Sequence, residues 1–385
     1  MKQFGRYVSP GFFCLTLCVA NESVMQTAQY FPPDYSSARQ SFLAAAHACG
    51  AEIESFIAPA LSTKGEELFT DVAALGQTDA VNAFVIISGT HGVEGFAGSG
   101  IQTGLLCEGV FRHLRPDVKV IIIHALNPYG FAEKRRFNED NVDLNRNFID
   151  HTSSGPINYD YDQLATAIAP RSISRVTELS AQLKILWYRL CHGRSRLQHA
   201  VTHGQYSHPQ GLFYGGRFEV WSNQLLRSLT EKHLTNCSRV TVVDLHTGLG
   251  SYGKGEVVVD AAEDDPVFGR SVSIWGFERV KSTIAGASVS SRLVGTINQA
   301  FVDMLPTSEV TAVGLEFGTL PTMAVFNALR AENWLHHHGG LGSRHAKEIK
   351  EALLRAFYPD DDAWKEHVME QGRDVVERVL RAWAE

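Results

Sequence analysis

Residues 81–95 read Val81-Asn82-Ala83-Phe84-Val85-Ile86-Ile87-Ser88-Gly89-Thr90-His91-Gly92-Val93-Glu94-Gly95. The run Val81–Ser88 is almost continuously apolar and rich in branched side chains, the pattern of a strand buried on both faces. Glycines at 89, 92 and 95 then free the backbone to bend, so that His91 and Glu94 can turn toward one point. Phe96–Leu114 reads as a helix and Val118–His124 as a second buried strand. Strand, helix and strand in that order predict a parallel crossover unit. In open sheets of this kind, sites form beyond the carboxyl ends of the strands, where His91 and Glu94 fall.

Further strands are expected at Val240–Leu245, Glu256–Val259 and Val310–Phe317. Helices are expected at 36–49, Ser172–Cys191, Val220–His233, Pro321–His336 and Gly342–Phe357, with a charge-rich terminal helix at Asp361–Ala384 read as a cover. The fold class is therefore α/β: a mixed, largely parallel central sheet flanked by helices. Segment 151–238 is more polar and punctuated by Gly and Pro. It separates two motif-bearing strands and reads as an insertion in a single domain spanning 31–385, preceded by an N-terminal extension at 1–30. Within that extension Lys2 and Arg6 precede an apolar run, Gly11–Ala20, too short to span a bilayer. It reads either as a secretory signal over residues 1–20 or as an extension ahead of a cytoplasmic chain beginning near Met25, the reading preferred here.

The chain has 385 residues, a net charge of −7 and 44% hydrophobic residues, which excludes disorder and, lacking a basic surplus, a nucleic-acid partner. No membrane partner is expected either. Six cysteines at irregular spacing suit free thiols better than a disulfide framework. No G-x-S-x-G elbow or dinucleotide fingerprint is present.

Three further stretches carry candidate chemistry. In Asp244-Leu245-His246-Thr247-Gly248 a histidine again follows an apolar run. An imidazole from a second strand end, added to His91 and Glu94, would give two nitrogens and a carboxylate, a set that suits zinc and leaves one position open. The bland reading of His246 is a strand-end histidine with one hydrogen-bond partner. Arg136-Phe137-Asn138-Glu139-Asp140-Asn141-Val142-Asp143-Leu144-Asn145-Arg146 offers guanidinium forks and an amide for a carboxylate. Its bland reading is a solvated loop in which Arg136 pairs with Glu139 or Asp140. In Gly314-Leu315-Glu316-Phe317-Gly318 a carboxylate interrupts an apolar strand end, where desolvation would raise its pKa toward that of a general base. His336, His337 and His338 ahead of Gly339-Gly340 are read as a helix end, with imidazolium favouring the dipole, rather than as a metal tract.

These motifs, in this order between about Phe84 and Leu320, resemble the zinc metallocarboxypeptidase superfamily, the carboxypeptidase A-like enzymes, and a bacterial branch of it in particular. The resemblance implies a phosphorylase/hydrolase-like architecture and one Zn²⁺ held by His91, Glu94 and His246. It implies Glu316 as general base and Arg136 as the residue that steadies the oxyanion, with adjacent Arg135 as a rival for that role. Asn145 and Arg146 would hold the substrate carboxylate, and Asp143 would orient a zinc histidine. The substrate-capping tyrosine has no clear counterpart; Tyr214 and Tyr252 are candidates, each more readily a packed aromatic. The implied reaction is zinc-dependent hydrolysis of an amide bond beside a free carboxylate, on a peptide. An N-acyl amino acid deacylase of the desuccinylase–aspartoacylase type and a non-catalytic zinc or ligand binder are the alternatives.

Overall fold

The computed structural model describes residues 27–153, 155–284 and 293–384; residues 1–26 of the expected extension, with the apolar run Gly11–Ala20, lie outside them. The strands are β1 (Glu52–Ile57), β2 (Phe69–Gly76), β3 (Asn82–Ile87), β4 (Val118–His124), β5 (Arg239–Tyr252), β6 (Gly255–Val259), β7 (Val280–Ser282) and β8 (Glu309–Gly318). They form one sheet in the order β1-β2-β4-β3-β5-β8-β6-β7. Its centre, β4-β3-β5-β8, is parallel throughout, while β2 pairs antiparallel with β4 and β6 antiparallel with β8. The sheet is thus mixed and largely parallel, as the sequence predicts.

The helices are α1 (Tyr35–Ala48), α2 (Gly95–Cys107), α3 (Pro128–Ala132), α4 (Tyr159–Ile168), α5 (Arg175–Thr202), α6 (Trp221–Leu234), α7 (Pro266–Trp275), α8 (Ile297–Met304), α9 (Thr322–Trp334), α10 (Ala346–Phe357) and α11 (Asp362–Ala382). Strand alternation sends successive side chains to opposite layers. Phe84 and Ile86 of β3 pack with α1, α2 and α11, whereas Ala83, Val85 and Ile87 pack with α6 and α8. A third apolar cluster joins Val93 and Phe137 to Tyr161, Leu164 and Leu212 of segment 151–238 and to Leu329 and Phe357 of α9 and α10. The insertion is therefore packed onto residues that follow the central strands.

Several sequence expectations are corrected. The helix expected over Phe96–Leu114 stops at Cys107, followed by Gly109 at φ 73°, a conformation that ends helices. The terminal helix is more than a cover: Trp364, Val368, Met369, Val375, Val376 and Val379 are all buried in the main core. Its helical apolar spacing is masked in the sequence by the charges between. Strands β1 and β2 escape sequence reading because β2 carries a buried Asp71, held by Arg39 at 2.7 Å and by Ser55. Among the described residues Cys49, Cys107, Cys191 and Cys237 are free, and no helix is long and apolar enough to cross a membrane.

His124, in β4, is completely buried. Its Nε2 lies 2.9 Å from Ser99 Oγ, its Nδ1 has no partner, and its ring stacks on Phe42. Burial pushes its pKa down to about 4. Between that value and the unfolded one, only the unfolded chain takes up the proton. The contribution to stability is thus complete above about pH 6.5 and is lost as pH falls toward about 4. In urea titrations at about pH 7 and about pH 5, the parent should lose about 2 kcal/mol more than a His124→Gln variant. Equal losses would mean that His124 is not the titrating group.

Candidate metal centre

Strand β3 lies between β4 and β5, so the connections from β3 to β4 and from β4 to β5 run in opposite directions along the sheet, and it is beside such a reversal, at the strand carboxyl ends, that sites form in open sheets. A 3₁₀ turn, Gly92–Glu94, follows β3 and carries the first two candidate ligands. Gly92 N donates to Arg136 O at 3.1 Å and Val93 N to Arg135 O at 2.7 Å, tying the turn to the chain after β4. Only glycine fits at 92: an added Cβ would stand 2.0 Å from the Gly130 carbonyl carbon. His246 lies within β5, which runs past the expected end at Leu245 to Tyr252. In the β5–β8 ladder His246 is the register partner of Glu316.

The three expected ligands converge. One ligand atom from each of His91, Glu94 and His246 lies within 4.8 Å of the other two, and all three residues are buried. Glu94 bridges the histidines, with Oε1 3.0 Å from His91 Nδ1 and Oε2 3.0 Å from His246 Nδ1. Carboxylates hold the far ring nitrogens: His91 Nε2 is 3.2 Å from Asp143 Oδ1, and His246 Nε2 is 2.7 Å from Asp244 Oδ2. With Nε2 of each ring held by a carboxylate, both Nδ1 atoms face the common centre. His91 Nδ1 is buried without a hydrogen-bond partner, despite its closeness to Glu94. An orphaned buried imidazole nitrogen is costly unless something else occupies it, and the donor set fits a divalent cation with nitrogen and oxygen ligands.

Arg136 does not pair with Glu139 or Asp140. Its Nη1 donates to Glu94 Oε1 at 3.0 Å and its Nε to Asp143 Oδ2 at 3.1 Å. Its Nη2 also stands 2.8 Å from His91 Nε2. That nitrogen cannot both accept from Arg136 and donate to Asp143, and the carboxylate is the stronger claimant. Arg135 points elsewhere, buried with Nε 2.8 Å from Glu332 Oε1, which Lys350 also holds. The adjacent arginines thus have separate tasks.

Burial disfavours the charge on Glu94, but the facing His91 and His246 outweigh it and hold the carboxyl below the usual range. Burial likewise opposes the charge on His246, which neighbouring Asp244 and Glu94 nevertheless raise well above the ordinary histidine value. Asp143 is held well below the carboxylate range by Arg136 and His91, against desolvation. Glu316 behaves oppositely. Its surroundings desolvate it and Glu94 repels its charge, raising it to about 7, although Leu249 N donates to its Oε1 at 2.9 Å.

Asn145 and Arg146 occupy a second 3₁₀ turn, Leu144–Arg146. Asn145 Oδ1 accepts from Ile297 N at 2.8 Å. Buried Arg146 donates from Nη2 to Thr202 O at 2.7 Å and from Nη1 to Asn145 O at 2.7 Å. These side chains are thus bonded to surrounding backbone rather than to the ligand cluster. Tyr214 is buried, and Tyr252 reaches outward to Asp361 at 2.6 Å. The histidines at 336–338 do end a helix, closed by Gly340 N donating to Leu335 O at 2.7 Å. However, burial and the charge of Arg135 push His337 down to about 4, so it is not the imidazolium expected there.

Two residues escaped the sequence reading. Asp244, two before His246, shares its face of the strand, and the Asp-x-His spacing could have signalled the pair. Phe213, at φ 55°, places its ring centroid 5.4 Å from Arg136 Cζ and 5.9 Å from Arg146 Cζ. No local pattern signals it, because it comes from the insertion. The same segment holds the Asp143 loop: Asp143 N donates to Tyr214 O at 2.8 Å and Asn147 Nδ2 to Gly215 O at 2.7 Å.

Three outcomes follow from this geometry. Purified protein should bind about one divalent ion per chain, and Asp244→Asn should weaken that binding about 10- to 100-fold without abolishing it. Metal titration followed by calorimetry reads both, and unaltered affinity would show that Asp244 does not orient His246. Arg135→Ala should cost about 1.5–3 kcal/mol of stability, because Glu332 keeps Lys350 but loses its other buried cation. An unchanged urea midpoint would contradict that.

No curated protein matches this sequence. Solved structures similar to it include bovine thrombin-activatable fibrinolysis inhibitor, at 10% identity and TM-score 0.43, covering 89% of this chain and 99% of that one. Carboxypeptidase A of Helicoverpa armigera is similar at 12% identity and TM-score 0.43, covering 94% and 81%. A succinylglutamate desuccinylase/aspartoacylase from Rhodobacter sphaeroides is similar at 14% identity and TM-score 0.36, covering 75% and 66%. These likenesses are loose. Residues 31–371 match the family model described as protein of unknown function DUF2817, and the chain belongs to that family.

Proposed function

We propose that this chain is a metal-dependent hydrolase that cleaves an amide bond beside a free carboxylate. The observation that carries the proposal is the convergence of His91 Nδ1, Glu94 and His246 Nδ1, with Glu316 next to His246 in the sheet. A divalent cation held there, zinc by ligand type, would supply the Lewis acidity that brings water toward ionisation near neutral pH.

The chain's own residues would do the rest. Glu316, poised near neutrality, takes a proton from the attacking water and passes it to the leaving amine. Arg136, beside the ligand cluster, offsets the negative charge that develops on the scissile carbonyl oxygen. Asn145 and Arg146 fix the substrate's carboxylate; for Arg146 this means exchanging a bond to Thr202 O or Asn145 O for one to substrate. Asp143 keeps His91 oriented. A purely binding role leaves the raised carboxyl of Glu316 without a task. Burial of the ligand trio, none more than 7% exposed, favours a small N-acyl amino acid over a long peptide as the second reading of the same chemistry.

Glu316→Gln should lower kcat about 10²- to 10⁴-fold while sparing metal binding. Turnover of acyl amino acids and of a peptide panel, each with and without chelator, reads the effect, and an unchanged rate would remove Glu316 as base. Because the base must be ionised, kcat/KM of the parent should rise with pH through the neutral region. A profile that instead falls there would contradict the assignment.

A further inference from the structure

Helix α5 has an outward face that the proposed chemistry does not use. Val176, Leu179, Leu183, Leu186, Trp187 and Leu190 lie along it, each between 49% and 79% exposed. Their spacing of three and four residues puts them on one stripe about 100° wide. The inner face is satisfied: Ala181 and Tyr188 are buried against the domain, and Glu178 is held by Arg330 at 2.7 Å. The stripe ends where Gly193, at φ 84°, breaks the helix. Single exposed apolar residues are ordinary, but an unbroken row of six large ones marks a docking surface.

The charge around the stripe identifies what docks. Arg171, Arg175, Lys184, Arg189 and Arg194 are all exposed, and the one carboxylate between them, Glu178, is neutralised by Arg330. In a chain of net charge −7 this is a local reversal of sign. By helical geometry Arg175 and Lys184 border the two edges of the stripe. A second copy of this helix would present the same cations and no acidic partner for them. An anionic bilayer surface matches both features: the apolar row enters the acyl boundary, the cations meet headgroups, and Trp187 suits the interface.

We infer that α5 docks the protein peripherally on anionic phospholipid surfaces, with the helix lying in the interface rather than crossing it. The inference is independent of the reaction assigned to the metal centre.

The test is co-sedimentation of the full-length protein with vesicles of phosphatidylcholine alone or with about one-third phosphatidylserine. The expected result is binding to the anionic vesicles only, released by about 0.5 M NaCl. Leu183→Ser/Trp187→Ser should lower partitioning about tenfold or more while leaving the circular-dichroism melt unchanged. That variant also separates α5 from the apolar run Gly11–Ala20, which it leaves intact. Three results would overturn the inference: equal binding to neutral vesicles, anionic binding insensitive to the double substitution, or a lipid-free dimer that the same substitution dissolves.

Discussion

A carboxylate buried between two imidazoles organises this structure. Glu94 has almost no solvent contact, and a charge so placed is costly unless its oxygens are occupied. Both are: one by Arg136, with His91 Nδ1 standing 3.0 Å away, the other by His246 and the Thr247 amide at 3.1 Å. The histidines are in turn fixed by Asp143 and Asp244, and Thr90 donates to Asp244 at 2.8 Å. The result is a shell in which every member's orientation depends on its neighbour, while one nitrogen, His91 Nδ1, remains without a hydrogen bond. A polar network this far from water, satisfied except at its centre, is the arrangement a cation would complete.

The sheet makes that shell possible. Parallel pairing brings the carboxyl ends of β4, β3, β5 and β8 to one edge, and each contributes to the site there or just beyond it. Rigid register sets Glu316 beside His246 without a flexible loop between them. The two carboxylates of the site then part company. Glu94, among imidazoles, stays ionised, whereas Glu316, repelled by Glu94 and desolvated, is raised to about 7. Environments that separate the pKa values of neighbouring carboxyls are a recurring source of distinct roles.

The insertion has two faces with different physics. Its inner residues join the site: the Phe213 ring lies 5.4 Å from the Arg136 guanidinium and 5.9 Å from that of Arg146, and Tyr214 and Gly215 supply carbonyls that pin the Asp143 loop. Its outer helix carries an apolar row edged with cations. The segment that borders the candidate metal centre thus also bears the face inferred to meet an anionic bilayer.

Much of this could be read from residues alone. The buried strands β3 and β4 and the helix between them are visible because branched apolar runs and glycine punctuation are local signals. The same holds for His91, Glu94, His246 and Glu316, each at or near the end of an apolar run where a polar group stands out. What stayed hidden depends on partners distant in sequence. Strand β2 conceals itself behind Asp71, tolerated because Arg39 reaches it from α1. The choice between Arg135 and Arg136 is decided by which carboxylate each meets: Glu332, nearly two hundred residues away, or Glu94 and Asp143. The sequence by itself determined the class of sheet and the residue types fit to hold a metal, since both follow from local patterning. Only the tertiary structure decided which side chains share a centre, which carboxyl is raised toward neutrality, and which face of α5 stays uncovered. Those depend on distance and desolvation, which the order of residues along a chain does not encode locally.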